Sequence, residues 1–443
     1  MYMERDIVRG SIAKSMVAFT IPLILSGMLQ QLFNWVDAFI VGNVEGELAL
    51  AGIGAVTSTY ATFVMVIVGF TSGLSVLAAQ RFGMGRTGDL KYILTFFSLA
   101  LGALFLVICT LGAVFVEEIL VFLDTPDNIF RNSERYLRIM FAGIPFLAVY
   151  NTCCAVLRGL GDSRAPFASV LVCSIINVAL DLAFVAGLRW GTGGAAAATV
   201  LSQIAMTVYV VCYGARRYPV LRFCSPRELF RRETALEGTR FGLPPAIQSG
   251  TSSFGNIILQ RFMNGFGDQT VAAITTAYRV DTVLLLPIVN FGSGVATMVA
   301  QNIGAGRPER ARQALKTGAA MIAGVSVLLT LLIVLAGKYL IAMFGLTPDS
   351  VEIGRSFFVR IASFYVVYGL AMAVRGYLEG LGDMAFSGMA GIAALLVRIA
   401  ASYAFAGVLG RMVIAYAEAF SWVVLLGLYL LRYAWKNRGR TGG

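Results

Sequence analysis

Oxygen-bearing side chains recur inside apolar stretches of this chain, where such groups are costly. Asn34 and Asp37 lie in the first stretch, Asn177 and Asp181 in a later one, and Thr199 in the next. Carboxylate, amide and hydroxyl oxygens are hard ligands that suit Na⁺ or a shared proton. Two interpretations are open. Asp37, Asn177, Asp181 and Thr199 form a cation site, or the two acids bond to neighbouring Asn and Thr side chains and only hold helices together.

The spacing of these residues predicts polar stripes on helices. Residues three or four apart are neighbours on a helix surface. The stripes are Ser26, Gln30, Asn34 and Asp37; Ser174, Asn177 and Asp181; and Thr199, Ser202 and Gln203. A carboxylate within a bilayer is costly, so we expect Asp37 and Asp181 to face a partner or a water-filled cavity rather than lipid.

The composition places these stripes in membrane-spanning helices. The chain is 58% hydrophobic and 13% charged, against roughly 45–50% and about 25% in soluble domains. It predicts an all-α integral membrane protein with no removable signal peptide. Twelve spans are predicted near 15–41, 50–80, 91–116, 130–158, 164–187, 193–214, 238–264, 270–302, 312–343, 351–378, 385–408 and 411–434.

The charge pattern predicts the topology. Basic residues concentrate in alternate connections and in the C-terminal tail, which puts both termini in the cytoplasm of a plasma-membrane protein. A net charge of +11 is then explained by topology and anionic lipid, and nucleic-acid binding is not expected. The chain has no histidine and no paired Cys-x-x-Cys motif, so we expect neither a zinc site nor a resident cofactor.

Two motifs occur twice, half a chain apart. Ala-Gln-x-x-Gly-x-Gly-Arg stands at 79–86 and 300–307, and Gly-Leu-Gly-Asp at 159–162 and 380–383, both at an offset of 221 residues. A duplicated unit of this size predicts two parallel six-helix lobes related by a pseudo-twofold axis along the membrane normal. The predicted division is 1–215, a cytoplasmic connection at 216–237, and 238–443. The repeated glycines are interpreted as helix ends.

The second half lacks the candidate cation residues. At the 221-residue offset Asn177 becomes Arg398 and Asp181 becomes Ser402, so we expect coupling in the first half alone. Arg375 and Glu379, four residues apart, are predicted to pair. Pro22 is either a hinge in the first span or inert near the start of its helix.

The ordered set of motifs resembles the multidrug and toxic compound extrusion (MATE) family over nearly the whole chain. The set comprises Gln-Gln-Leu-Phe-Asn-Trp-Val-Asp at 30–37, the two duplicated motifs and Asn177-x-x-x-Asp181. The resemblance implies an antiporter that exports bulky, often cationic or amphiphilic compounds against inward H⁺ or Na⁺ flow by alternating access. Its expected partners are small-molecule substrates and membrane lipid, and we expect a monomer.

The resemblance also assigns roles to residues. It implies a cation site at Asp37, Asn177, Asp181 and Thr199, a cavity lined by Gln30 and Asn151, and a bend at Pro22. Asn34, Ser202 and Gln203 are expected to line the same cavity. One branch of the family uses an acidic residue early in span seven. Residues 248–252 of this chain include no carboxylate. The chain therefore resembles the DinF-like branch, in which coupling is placed in the N-terminal lobe.

Three other functions remain as alternatives. A lipid-linked oligosaccharide flippase would use basic residues of the second half in its cavity, namely Arg261, Arg279, Arg375 and Arg398, although Arg279 is also placed to pair with Asp281. A major-facilitator carrier shares twelve spans but not the Gly-Leu-Gly-Asp pair. An intramembrane aspartyl protease needs a Tyr-Asp pair, which this chain lacks. We therefore expect a transporter rather than an enzyme.

Overall fold

A computed structural model describes residues 6–224 and 231–438. These residues are almost entirely helical, as their apolar runs predict. The helices are α1 (Asp6–Arg9), α2 (Ile12–Glu45), α3 (Glu47–Gly83), α4 (Leu90–Val114), α5 (Val116–Phe122), α6 (Asp127–Gly159), α7 (Arg164–Asp181), α8 (Gly191–Arg217), α9 (Arg232–Asn264), α10 (Asp268–Leu284), α11 (Leu286–Gly304), α12 (Pro308–Ala342), α13 (Pro348–Ala362), α14 (Tyr365–Gly380), α15 (Met384–Leu409) and α16 (Val413–Arg438).

Nine segments of the described chain are long and apolar enough to cross a membrane by themselves. One of them, Met384–Asn437, contains both α15 and α16, and the pair α13 and α14 qualifies as one bent span. Helix α9 occupies the seventh predicted span but is less apolar than these segments, because it contains many polar and charged residues. The twelve predicted spans thus each coincide with a helix or a pair of helices.

The chain forms two compact units. The N-terminal unit comprises Ile21–Ala246, and the C-terminal unit comprises Ile247–Gly443 together with the first twenty residues. The unit boundaries fall inside α2 and α9, one residue before Pro22 and one residue after Pro245. The predicted connection at 216–237 lies within the first of these units, and its residues 225–230 lie outside the described chain.

In the N-terminal unit, α6 packs against α3, α4 and α8, and α7 packs against α8. Fully buried apolar side chains such as Leu137, Ile144 and Ala148 face that core. Large apolar residues remain exposed elsewhere, including Leu104 and Val107 on α4. Exposed apolar surface of this kind is expected where helices meet lipid.

The C-terminal unit repeats this plan with two interrupted spans. Helix α14 packs against α11, α12 and α16, α13 packs against α10, and α15 packs against α16. The eighth span divides into α10 and α11 at Leu285, two residues before Pro287. The tenth span bends by 45° between α13 and α14, and no proline lies at that bend. A proline thus lies close to the first interruption and none lies at the second.

The duplicated motifs end helices in both units, as the sequence predicts. Gly85 and Gly306 follow α3 and α11 with φ of 75° and 69°, and Gly161 and Gly382 follow α6 and α14 with φ of 93° and 87°. These left-handed values favour glycine because it has no Cβ.

The motif aspartates tie the turns to later helices. Asp162 Oδ1 accepts hydrogen bonds from the backbone N–H groups of Arg164 and Ala165, and its Oδ2 accepts from the Tyr213 and Tyr218 hydroxyls, both at 3.0 Å. Asp383 instead pairs with Arg432 at 2.8 Å and Lys436 at 2.9 Å on α16. The role of these aspartates is structural.

Candidate functional site

The two acids singled out from the sequence meet inside the N-terminal unit. Asp37 projects from α2 and Asp181 is the last residue of α7, and their carboxyl groups lie close enough to share a hydrogen bond. Two ionised carboxylates have no donor to offer each other. In that state the contact is repulsive, and a proton or another cation between them is stabilising.

Several oxygens of this cluster lack a hydrogen-bond donor. Within the described residues, Asp37 Oδ1, both carboxylate oxygens of Asp181 and Asn177 Oδ1 are buried and unpartnered. Buried polar groups are normally bonded, and an unpaired buried acceptor costs about 1–3 kcal/mol. Such a group of oxygens suits a cation, because a cation satisfies all of them at once.

Asn177 and Thr199 form the other side of the cluster. Asn177 is fully buried on α7, one turn before Asp181, and its amide nitrogen lies 3.5 Å from Thr199 Oγ1 on α8. The Thr199 hydroxyl donates to the Ala195 carbonyl at 3.0 Å. These contacts direct the Asn177 amide nitrogen towards α8 and leave its carbonyl oxygen without a donor.

The backbone changes its geometry directly after Asp181. Residues Leu182–Gly187 form a π-helical turn, a rare form that often marks functional sites. The apolar pattern of the fifth span gives no indication of this turn.

Two tyrosines of the cluster were not predicted. The Tyr60 hydroxyl accepts from Gln203 Nε2 at 2.9 Å, and Tyr136 is buried within electrostatic range of both acids. A polar run at 57–60 inside the second span was the available signal for Tyr60. Nothing in the sequence around Tyr136 indicates its position.

The predicted cavity residues occupy varied environments. Gln30 and Asn34 on α2 are exposed, and Pro22 is half-buried within the same uninterrupted helix. Asn151 is half-buried and donates to the Leu147 carbonyl at 2.8 Å. Ser202 is fully buried and bonds to the Ala198 carbonyl of its own helix. Their roles in binding substrate stay predictions.

A cavity of about 260 Å³ lies elsewhere in this unit. It is lined by charged residues that include Arg81, Arg86, Asp89 and Glu237, and neither Asp37 nor Asp181 lines it. Ion pairs occupy its walls, since Arg81 contacts Glu237 and Arg86 lies 2.9 Å from Asp89. It is a salt-bridge network rather than the predicted substrate cavity.

The C-terminal unit holds two acids whose burial the sequence analysis did not predict. Asp281 is 4% exposed and Glu418 is 7% exposed. The expected pairing of Arg279 with Asp281 is wrong, because Arg279 is exposed and Asp281 bonds to Tyr365. The sequence feature that could have identified Glu418 is a carboxylate within the predicted twelfth span. The predicted pair of Arg375 and Glu379 is confirmed at 2.7 Å.

Comparison with known proteins identifies the chain. The MatE family matches residues 22–183 and 244–404, which is most of both halves. The chain belongs to the MatE family. Members are membrane transporters, so this is a multi-pass membrane protein and not an enzyme, which excludes the aspartyl protease. Membership of this family also excludes the major-facilitator carrier. Membership of the DinF-like branch stays a prediction.

Individual members of the family align with the chain almost end to end. The probable multidrug resistance protein YpnP of Bacillus subtilis is 30% identical over 86% of this chain and 85% of its own length. The probable multidrug resistance protein YoeA of the same organism is 26% identical over 98% of this chain and 96% of its own. An outward-facing multidrug resistance MATE transporter of the MOP superfamily superposes with a TM-score of 0.91, at 19% identity and covering 99% and 98% of the two chains. The last likeness confirms the fold of two six-helix lobes.

Proposed function

We propose that this chain is a cation-coupled exporter of bulky, cationic or amphiphilic small molecules, working by alternating access. The observation that carries the proposal is the contact between Asp37 and Asp181, with unpartnered oxygens around it. The relatives YpnP and YoeA are both named as probable multidrug resistance proteins, which supports a multidrug substrate range.

The coupling step follows from charge. Na⁺ or a proton bound between the acids removes their repulsion and draws α2 towards α7. Substrate and cation must favour different conformations, because a ligand with equal affinity for two states shifts neither. The residues fit either ion. Within the described residues no cluster of three or more His, Cys, Asp or Glu side chains suits a multivalent metal.

A flippase for lipid-linked oligosaccharides receives less support from the C-terminal unit. Of its four candidate basic residues, Arg375 pairs with Glu379 and Arg398 pairs with Glu418. Arg261 and Arg279 are exposed. The two half-buried guanidinium groups are thus neutralised by carboxylates and are not free to bind an anionic lipid headgroup.

The test is dye transport in proteoliposomes with a pH gradient or a Na⁺ gradient imposed alone. We expect one gradient to drive a cationic dye in the wild type, and Asp37→Asn to abolish the driven flux while folding normally. Asp268→Asn, at an exposed acid in the first turn of α10, is the matched control and should transport like the wild type. Undiminished driven flux in Asp37→Asn would refute the coupling role, and absence of flux in the wild type under both gradients would refute the exporter.

A further inference from the structure

A network of charged and phenolic groups lies inside the C-terminal unit, on α10, α15 and α16. Arg398 Nη2 donates to Glu418 Oε2 at 2.9 Å and to the Tyr278 hydroxyl at 2.8 Å. Tyr278 in turn donates to the same Glu418 oxygen at 2.7 Å. These three groups satisfy one another, and the Arg398–Glu418 pair has no net charge.

Asp281 adds a charge that this pair does not balance. It lies one turn after Tyr278 on α10 and accepts a hydrogen bond from the Tyr365 hydroxyl. Within the described residues, no ion pair includes Asp281. With two carboxylates and one guanidinium, the buried network carries one excess negative charge. An uncompensated charge in this environment costs several kcal/mol.

The network lies at both interruptions of the helices in this unit. Asp281 occupies the last turn of α10, just before the break at Leu285, and Tyr365 is the first residue of α14 after the 45° bend. Interrupted helices within a bilayer are tolerated where they are buried in protein, and transporters place ion sites at them. Asp281 therefore lies where transporters place ion sites, and the excess negative charge of its network points to the same role.

The duplication relates this network to the site in the other unit. At the offset of 221 residues, Arg398 corresponds to Asn177 and Asp281 corresponds to Tyr60. Asn177 lies one turn before Asp181 and bonds to Thr199, and Tyr60 lies near Tyr136, which is within electrostatic range of both acids. Equivalent positions in the two repeats thus carry buried polar clusters with different chemistry.

We infer that Asp281 is a second membrane-embedded proton site, which takes up one proton and so removes the excess charge of the network. The step converts the carboxylate to a carboxylic acid, with the Tyr365 hydroxyl as its hydrogen-bond partner in both forms. A metal cation is disfavoured, because Arg398 is a cation and the nearby Tyr278 and Tyr365 hydroxyls already donate to carboxylates.

The other titratable groups around Asp281 support a single proton. Tyr368 of α14 lies within electrostatic range of it, as do Glu418 and Arg398. On α13, which packs against α10, Arg360 is directed towards Tyr416 and Ser356. Arg398 is thus the guanidinium of the network, and Glu418 neutralises it.

The inference rests on the proposed function only for its use in transport, and protonation itself is measurable without transport. The measurement is infrared difference spectroscopy of the full chain in lipid vesicles. The pH is varied between about 5 and about 9, which lies above the pKa values of ordinary carboxyl groups. The carbonyl stretching band of protonated carboxyl groups reports the titration. We expect Asp281→Asn to lose the intensity of one carboxyl group and Asp268→Asn to keep it.

Charge balance supplies a second test that does not depend on removing Asp281. In Glu418→Gln the network holds one carboxylate and one guanidinium, so Asp281 should stay ionised and its band should vanish near neutral pH. In Tyr365→Phe the band should remain and shift, because its hydrogen bond is lost.

An unchanged band in Asp281→Asn, or in both Glu418→Gln and Tyr365→Phe, would overturn the inference. Failure of dye transport in the wild type would remove the proposed function and leave this spectroscopic result intact.

Discussion

Replacement of Asp181 by asparagine should stabilise the protein while it destroys cation binding. Both carboxylate oxygens of Asp181 are buried without a donor, next to the unpartnered Asp37 Oδ1. The amide nitrogen that Asp181→Asn introduces can donate to Asp37, and one buried negative charge disappears. A hydrogen bond to a charged group contributes about 1.5–3 kcal/mol, so we expect the free energy of unfolding to rise by at least about 1.5 kcal/mol.

The assay is thermal unfolding of purified protein, with and without Na⁺ and at two pH values. About 1 kcal/mol shifts Tm by about 2–4 °C in a domain of 150–250 residues, so several degrees are expected. The coupling cation should raise the Tm of the wild type, because a ligand at one hundred times its Kd adds about 2.7 kcal/mol. It should leave the Tm of Asp181→Asn unchanged.

The same substitution at a satisfied acid is the control. Asp162 accepts four hydrogen bonds, so Asp162→Asn should lower stability by about 1–3 kcal/mol. A Tm of Asp181→Asn at or below that of the wild type would refute the reasoning, as would a response to the cation equal to that of the wild type.

Two further predictions concern packing and ionic contacts. A Cβ at Gly159 would lie 2.6 Å from Ala78 Cβ and 2.9 Å from the Ser75 carbonyl oxygen, so Gly159→Ala should separate α6 from α3 and destabilise the protein by about 1–3 kcal/mol. Gly324→Ala, with open space around it, should be neutral or stabilising by up to about 1 kcal/mol; equal Tm values for the two variants would contradict this packing. Burial opposes ionisation of Asp383, but hydrogen bonds from Arg432 and Lys436 prevail and lower its pKa. The wild type should therefore be more stable than Asp383→Asn at neutral pH, and the difference should vanish as acid protonates Asp383; a pH-independent difference in unfolding would contradict it.

The sequence-based expectations succeeded where the signal was local or repeated. The motif glycines predicted helix ends because only a residue without Cβ tolerates their φ values. The pairing of Arg375 with Glu379 followed from helical spacing alone. The mutual approach of Asp37 and Asp181 agrees with one of the two interpretations left open by the residues, and the resemblance to the MATE family also implied it.

Expectations failed for the buried charges of the C-terminal unit, whose partners lie on helices distant in sequence. The closeness of Arg279 and Asp281 in the sequence suggested that they pair, yet Asp281 accepts a hydrogen bond from Tyr365, 84 residues away. Glu418 lies in an apolar helix, and only packing shows that Arg398 neutralises it. The bend before Tyr365 contains no proline, so the sequence did not predict it.

Composition and periodicity determine that this chain is a helical membrane protein, because every span must satisfy its own backbone hydrogen bonds in lipid. The repeated motifs determine that it is built from two copies of one unit. Composition and periodicity also determine which side chains are costly enough to require partners. The tertiary structure alone decides which partner each one receives, since that depends on helix rotation and packing across long sequence separations. For that reason the acids of the first repeat could be located from the sequence, whereas the charge network of the second repeat could not.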